Sequence, residues 1–130
     1  MLNKIEFLIE TDIIIEHITQ KNKMQLSDLE IAMSTGICFT SVINASEIYF
    51  YCATPKEKFA ADAVIFALKV LGIHPRYSLN ISYFFNKVAT TRDAMICSLA
   101  KSNKLPILTN QFERYKKSGI KIITSKELRG

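Results

Sequence analysis

The length and composition of the sequence are those of one globular domain. Its 130 residues are 48% hydrophobic and 22% charged, and they include only 4 glycines and 3 prolines. This composition excludes a disordered or low-complexity chain and predicts a single domain over residues 1–130. The 17 lysines and arginines outnumber the 12 acidic residues and give a net charge of +5, which permits contact with a polyanion but does not require it.

The sequence also predicts the cellular compartment of the protein. No run approaches the roughly 18 uncharged apolar residues of a membrane span, because acidic residues interrupt the isoleucine-rich start. That start lacks the basic region, apolar run and cleavage site of a secretory signal. The three cysteines, at positions 38, 52 and 97, are widely spaced, which predicts reduced thiols rather than disulfides or a zinc site. We therefore expect a cytoplasmic protein without membrane contact.

Hydrophobic periodicity predicts strands that alternate with helices along the chain. The first half of the chain is predicted to contain a strand over 5–9, a helix around 13–18, a helix that a Ser27–Glu30 capping box begins and Gly36 ends, a strand over 37–40 and helices over 42–52 and 55–71. The second half is predicted to contain a connector or very short strand over 72–75, helices over 79–87 and 92–102, a strand over 106–108, a helix over 112–117 and a strand over 120–123. The strands are apolar throughout rather than alternating, which is typical of a mostly parallel sheet covered by helices on both faces.

Acidic residues follow the predicted strands. Glu10 and Asp12 come directly after the first strand, Glu47 lies in the helix after the second, and Asp93 begins the helix that leads into the third. Ligands of parallel sheets bind at the carboxyl ends of the strands, so we expect these four carboxylates to converge at one edge. Clustered carboxylates repel one another unless a cation holds them, and oxygen ligands favour Mg²⁺ or Mn²⁺ over zinc.

Each acid also has a structural interpretation. An acid in the first turn of a helix, such as Asp93, is stabilised by the helix dipole. Asp12 is interpreted as the N-cap of the following helix in preference to a metal ligand. Glu47 has apolar helical neighbours, where an unpaired carboxylate is costly, and Glu10 has no evident structural role.

Other catalytic arrangements have less support. His17 and His74 do not form a metal-binding pair, and Ser41 and Ser46 have no nearby histidine base. No phosphate-binding or dinucleotide-binding glycine motif is present. The lysine-rich segment 116–129 is interpreted as a solvated face, with a phosphate-contacting rim as the alternative.

Four segments together resemble the PIN-domain proteins of the VapC toxin type. They are residues 7–16 (FLIETDIIIE), 40–48 (TSVINASEI), 93–100 (DAMICSLA), and 105–110 (LPILTN) with 119–123 (GIKII). Each segment alone consists of common residue types, but their order and spacing match that family over nearly the whole chain.

The resemblance implies an α/β three-layer sandwich with a central, mostly parallel sheet of about four or five strands. It also implies an endoribonuclease that uses Mg²⁺ or Mn²⁺, acts as the toxin of a toxin–antitoxin pair, forms a homodimer and binds a small antitoxin protein. The implied catalytic and metal-binding residues are Glu10, Glu47 and Asp93, with Asp12 as a further candidate ligand. The implied substrate-positioning residues are Thr11, Ser41, Thr109, Asn110 and Gln111.

Two positions depart from the family pattern. The first acid is normally Asp, and the extra methylene of Glu10 displaces the carboxylate by about 1 Å, against a tolerance of roughly 0.5 Å for a catalytic constellation. Gln111 stands near the position of the fourth acid and carries no charge. These departures leave an alternative open, in which the protein is a catalytically impaired PIN-like module that binds RNA or a protein partner.

Overall fold

A computed structural model of the protein describes residues 5–22 and 24–130. Its strands are β1 (Ile5–Ile9), β2 (Gly36–Ser41), β3 (Lys69–Leu71), β4 (Ile107–Leu108) and β5 (Ile122–Ile123). Its helices are α1 (Thr11–Thr19), α2 (Asp28–Thr35), α3 (Val42–Tyr51), α4 (Pro55–Ala67), α5 (Pro75–Leu79), α6 (Thr91–Asn103), α7 (Phe112–Tyr115) and α8 (Ser125–Arg129), with a 3-10 turn at Ile81–Phe84.

The strands form one parallel sheet with the order β3-β2-β1-β4-β5. The central strand β1 pairs with β2 on one side and β4 on the other, with Leu8 opposite both Phe39 and Ile107. All carboxyl ends therefore lie at the same edge, as the sequence predicts. The expectation of a mostly parallel sheet of about four or five strands is confirmed.

Helices cover both faces of this sheet. Phe7 and Ile9 pack into a core with α1, α2, α3 and α4, whereas Leu8 packs into a second core with α6 and Tyr115. Consecutive strand residues point to opposite faces, so one buried strand serves both cores. The predicted three-layer α/β sandwich is confirmed.

The predicted helix over 55–71 is wrong at its end. Helix α4 ends at Ala67, and the next residues form β3, which pairs with β2 through Phe39 and Lys69. The apolar residues Val70 and Leu71 suit either structure, and the open edge of β2 decides in favour of a strand. Short apolar runs of this kind are ambiguous from periodicity alone.

The predicted helix over 79–87 is also wrong. The chain instead forms the short helix α5, which begins at Pro75, and then the 3-10 turn; Asn86 follows with a positive φ of 67°. Of the aromatic run, Phe84 is buried but Tyr83 and Phe85 are exposed, so the segment has no continuous apolar face for a longer helix.

The end of the chain contains a helix that the sequence analysis missed. Helix α8 follows β5, and a capping box between Thr124 and Glu127 begins it. The sequence contained this signal, a threonine followed three residues later by a glutamate. The equivalent box at Ser27 and Glu30 was recognised and is confirmed, as is the end of α2 before Gly36.

The helices of the described chain are short. The two longest, α4 and α6, have 13 residues each. Over residues 5–22 and 24–130, no helix combines the length and the apolar character that are needed to cross a bilayer.

The cysteines are free thiols, as predicted. Burial raises the pKa of Cys38 to about 11 and that of Cys97 to about 12, whereas Cys52 is half-buried. We expect iodoacetamide at about pH 8 to modify Cys52 first in the native protein and all three in denaturant, because the thiolate is the reactive form. Mass spectrometry of peptides checks this expectation; early modification of Cys97 would contradict the core packing.

Candidate functional site

A cavity of about 530 Å³ opens at the carboxyl edge of the sheet. It is lined by Glu10, Thr11, Asp12, Ile15, Glu16, Glu47, Tyr51, Arg92, Gln111 and Arg114. These residues come from the end of β1, from α1, α3 and α6, and from the segment after β4. The predicted convergence of acids at this edge is therefore observed.

Glu10 lies at the floor of the cavity and is only 1% exposed. It is the N-cap of α1, where its carboxylate accepts a hydrogen bond from the backbone N–H of Thr11 at 3.2 Å. Asn44 Nδ2 donates to Oε1 at 2.8 Å, and the Tyr115 hydroxyl donates to Oε2 at 2.6 Å. Glu10 thus has a structural role that the sequence analysis did not assign.

The guanidinium of Arg92 occupies the centre of the acidic group. It donates to both oxygens of Glu10 at 2.7 Å each, and to Glu47 through Nε at 3.1 Å and Nη2 at 2.6 Å. Nη1 also donates to Asp93 Oδ1 at 3.0 Å. One arginine therefore joins the three acids that the sequence analysis selected as metal ligands.

Asp93 is held from two sides. Its side chain is 1% exposed, and Arg114 Nε donates to Oδ2 at 2.9 Å opposite the contact with Arg92. Its backbone N–H donates to the N-cap Thr90 at 3.1 Å, which places Asp93 in the first turn of α6. Asp93 thus has the structural position that its sequence suggested and also belongs to the acidic group.

Arg92 lowers the pKa values of the two glutamates. Burial acts to raise the pKa of Glu10, but hydrogen bonds and charge from Arg92, with the Tyr115 hydrogen bond, outweigh it and lower that pKa. The pKa of Glu47 is lowered in the same way, by Arg92 and Thr11 against burial. The pKa of Arg92 is raised, because its contacts with both glutamates outweigh its burial. Glu10, Glu47 and Arg92 therefore form a network of ionised groups.

Asp12 does not have the predicted role of helix N-cap. Helix α1 begins earlier, with Glu10 as its N-cap, and Asp12 lies in the first turn. Its carboxylate accepts hydrogen bonds from the Thr109 hydroxyl and the Asn110 backbone N–H, both at 2.9 Å. Burial raises the pKa of Asp12 despite these bonds. Asp12 therefore joins α1 to the segment after β4.

Two of the predicted substrate-positioning residues face the cavity. The Thr11 hydroxyl donates to Glu47 Oε1 at 2.5 Å. Gln111 Oε1 accepts from Arg114 Nη1 at 2.5 Å.

The other three predicted positioning residues have structural partners. Ser41 is buried and forms a capping box with Asn44 at the start of α3. Thr109 is buried against Asp12, and the Asn110 side chain accepts from the backbone of Ser125.

Sequence reasoning missed the basic and phenolic members of the site. Arg92 and Arg114 are two of the four arginines in the chain. The position of Arg92 directly before Asp93 is a usable signal, because it places a guanidinium at the same sheet edge as the acids. Tyr115, which is fully buried, has no such local signal because α7 brings it in from a distant part of the chain.

The donors suit a hard divalent ion in kind, since all are carboxylate oxygens. As they stand, however, the described residues contain no group of three or more His, Cys, Asp or Glu side chains arranged to hold a metal ion. The contacts of Arg92 explain this, because its guanidinium lies between the carboxylates. With Arg92 in this position, the acids do not fit a divalent ion.

Comparisons with known proteins add the fold class. No family model matches the sequence, and no curated protein is significantly similar to it. Among solved structures, the VapBC complex of Salmonella typhimurium bound to DNA has a chain with 20% identity and a TM-score of 0.71, covering 93% of this chain and 98% of that one. A toxin–antitoxin complex from Klebsiella pneumoniae has 15% identity and a TM-score of 0.74, with 92% and 97% covered. FitAcB from Neisseria gonorrhoeae has 13% identity and a TM-score of 0.74, with 92% and 98% covered.

These neighbours are PIN-domain toxins of the VapC and FitB type. The likeness extends over almost the whole chain, and at these identities it shows the fold. The protein therefore has the PIN-like fold that the sequence segments resemble.

Proposed function

We propose that the protein is the nuclease component of a toxin–antitoxin pair and hydrolyses RNA phosphodiester bonds with Mg²⁺ or Mn²⁺. One observation carries this proposal: Glu10, Glu47 and Asp93, from three separate segments, share a single cation at the carboxyl edge of the sheet. Clustered carboxylates that face a cavity are typical of a functional site. The PIN-like fold supports the proposal, because its structural neighbours are toxins.

In this proposal Glu10, Glu47 and Asp93 hold the ion when Arg92 is displaced from them. If held there, such an ion would acidify a water molecule and would stabilise negative charge on the phosphoryl group. The remaining residues orient the site. Thr11 holds Glu47 through its hydroxyl, and Arg114 holds the outer oxygen of Asp93.

Single-stranded RNA is the substrate class that suits the site. The cavity opens at the surface beside the acids, and the net charge of +5 permits contact with a polyanion. Arg114 is 37% exposed at the cavity and is available to a phosphate group. Thr11 and Gln111 line the same cavity and are proposed to position the phosphate or the attacking water.

A small antitoxin and a second copy of the chain are the proposed protein partners. Large apolar side chains on α3 and α4 are exposed, with Phe50 94%, Phe66 93% and Phe59 77% accessible. Exposed aromatic residues on two helices that pack together favour a protein-binding surface. The neighbouring structures support an antitoxin partner, since they are toxin–antitoxin complexes.

The substitution Asp93→Asn tests the nuclease proposal. We expect it to abolish Mn²⁺-dependent cleavage of single-stranded RNA, because the variant loses one of the three carboxylates but keeps the shape of the side chain. Product formation is followed on denaturing gels with Mn²⁺ in large excess over protein, and circular dichroism verifies that the variant is folded.

The matched control is Asp62→Asn, which removes one carboxylate from the exposed face of α4, where Asp62 contacts Tyr49. It should cleave like the wild type. Equal cleavage by Asp93→Asn and the wild type would reject the assignment, and so would the absence of Mn²⁺-dependent products from both the wild type and an Arg92 variant.

A second candidate function is a partner-binding module without catalysis. Three features favour it: Glu10 replaces the usual aspartate, Gln111 is uncharged, and Arg92 occupies the acidic group. For this candidate we expect binding of a small protein partner with no cleavage by any variant at position 92.

A further inference from the structure

We infer that Arg92 is a built-in cation that takes the place of the divalent ion and keeps the site in a resting state. The inference rests on the proposed function, because it concerns the regulation of the same three acids. Metal uptake then requires Arg92 to leave, because the metal and the guanidinium compete for one set of oxygens.

The Arg92 guanidinium is bound through all three of its nitrogens. Each of its three nitrogens donates to at least one carboxylate, and the two Nη atoms bind the two oxygens of Glu10 as a fork at 2.7 Å. Nη1 also donates to the Tyr115 hydroxyl at 2.9 Å. Paired contacts between arginine and carboxylate are among the strongest charged hydrogen bonds in proteins. This geometry is that of a specific ion pair and not of a weak surface contact.

The oxygens of Glu10 have little capacity left for a metal ion. Oε1 of Glu10 accepts from the Thr11 backbone and from Asn44 as well as from Arg92. Oε2 accepts from both Arg92 and Tyr115. A divalent ion needs lone pairs of the same oxygens, so it cannot join the group while Arg92 is present.

The Arg92 side chain can withdraw while the backbone of α6 stays in place, although the lost ion pairs cost stability. Its backbone lies in the first turn of α6, which is capped by Thr90, and its side chain is still 20% exposed. Helix α6 thus fixes the Cα of Arg92, whereas the guanidinium has a route into the adjoining cavity. Asp93 and Glu10 keep other partners, Arg114 and Asn44 respectively, when the guanidinium withdraws.

The apparent metal affinity therefore equals the affinity of the Arg92-withdrawn state multiplied by the fraction of molecules in that state. A ligand that binds only a minor state has an apparent affinity lowered by the population of that state. Removing the guanidinium should remove this penalty and also its repulsion of the ion.

Titration calorimetry with MnCl2 tests the inference. We expect Arg92→Gln to bind Mn²⁺ about a hundredfold or more tightly than the wild type, because a positive charge at contact distance strongly opposes a dication. The matched control is Arg129→Gln, which removes the same charge from a residue whose ion pair with Asp28 lies outside the acidic group. Its Mn²⁺ affinity should stay within about threefold of the wild type, since Arg92 still occupies the oxygens of Glu10 and a charge outside the site is screened.

Equal Mn²⁺ affinity in the wild type and Arg92→Gln would overturn the inference, and so would an equal gain in Arg129→Gln. If Arg92→Gln is unfolded without metal, Arg92→Lys serves instead. Lysine keeps the charge but loses the fork, so a smaller gain over the wild type is expected, and no gain at all contradicts the competition.

The outcomes separate this inference from the proposed function. If Arg92→Gln binds Mn²⁺ tightly but cleaves no RNA, the resting-state inference stands and the nuclease proposal fails. If the wild type binds Mn²⁺ as tightly as the variant and also cleaves RNA, the nuclease proposal stands and Arg92 is not an inhibitory cation.

Discussion

Arg92→Gln lowers the free energy of unfolding of the metal-free protein by about 3–5 kcal/mol, the cost of removing one partner of a buried ion pair. Glu10 has a side chain that is only 2% exposed, so water cannot replace the lost guanidinium. Glu47 and Asp93 also lose their shared partner and repel each other and Glu10. Urea unfolding followed by circular dichroism measures the change.

A double-mutant cycle with Glu10→Gln identifies the cause. The double variant Glu10→Gln/Arg92→Gln removes both charges, so it should be more stable than the sum of the two single effects predicts. Additive effects would mean that Arg92 and Glu10 do not stabilise each other.

The pH dependence provides a second check, and its sign follows from the pKa shift. The folded-state pKa of Glu10 in the wild type lies below the unfolded value of 4.5, so its contribution is present above that pH and is lost as the pH falls through the folded value. Without Arg92, only the hydrogen bonds from Tyr115 and Thr11 oppose the effect of burial, so the folded pKa of Glu10 is higher in the variant than in the wild type. The variant therefore loses less stability than the wild type as the pH falls. The stability gap between the two proteins should therefore narrow as the pH falls from neutral to about 4.

Gly36→Ala lowers the free energy of unfolding by about 3 kcal/mol, the upper end of the usual cost of overpacking. An added Cβ would lie 2.1 Å from the carbonyl oxygen of Ile5 and 3.2 Å from the ring of Phe7. The first contact is with backbone of the paired strand β1, which cannot move without disturbing the register between Ile5 and Gly36. Alanine also restricts the unfolded chain, but that gain of about 0.4–1 kcal/mol is smaller than the clash.

Gly72→Ala is the matched control for this substitution. An added Cβ at Gly72 has no atom within 4 Å. We expect its stability to stay within about 0.5 kcal/mol of the wild type. If both glycine variants behave alike in urea unfolding, the close approach of β1 and β2 at Gly36 is not a determinant of stability.

Much of the acidic group could be predicted from local patterns. The apolar run before Glu10 forms the central strand, and the strand order places Glu47 and Asp93 at the same edge. The carboxyl ends of parallel strands lie at the same edge of the sheet, so acids that directly follow these strands lie near that edge. The role of Asp12 could not be predicted, because its partners Thr109 and Asn110 lie almost a hundred positions away in the sequence.

The boundary errors have a related cause. Val70 and Leu71 are compatible with a helix or a strand, and the exposed edge of β2 selects the strand. The aromatic residues Tyr83, Phe84 and Phe85 satisfy a helical pattern, but a single buried member, Phe84, does not sustain a helix. In both segments tertiary packing overrides a weak local preference.

The linear order of residues by itself indicated the alternation of strands and helices, the parallel class of the sheet and the acids that follow its strands, because apolar runs and helical periodicity are local patterns. Only the tertiary structure decided which cation those acids bind. The reach of Arg92 into their centre depends on α6, α3 and β1 meeting at one point, and the hydrogen bond from Tyr115 depends on α7 closing over it. These hydrogen bonds join residues that are far apart in the sequence, so no local sequence pattern predicts them.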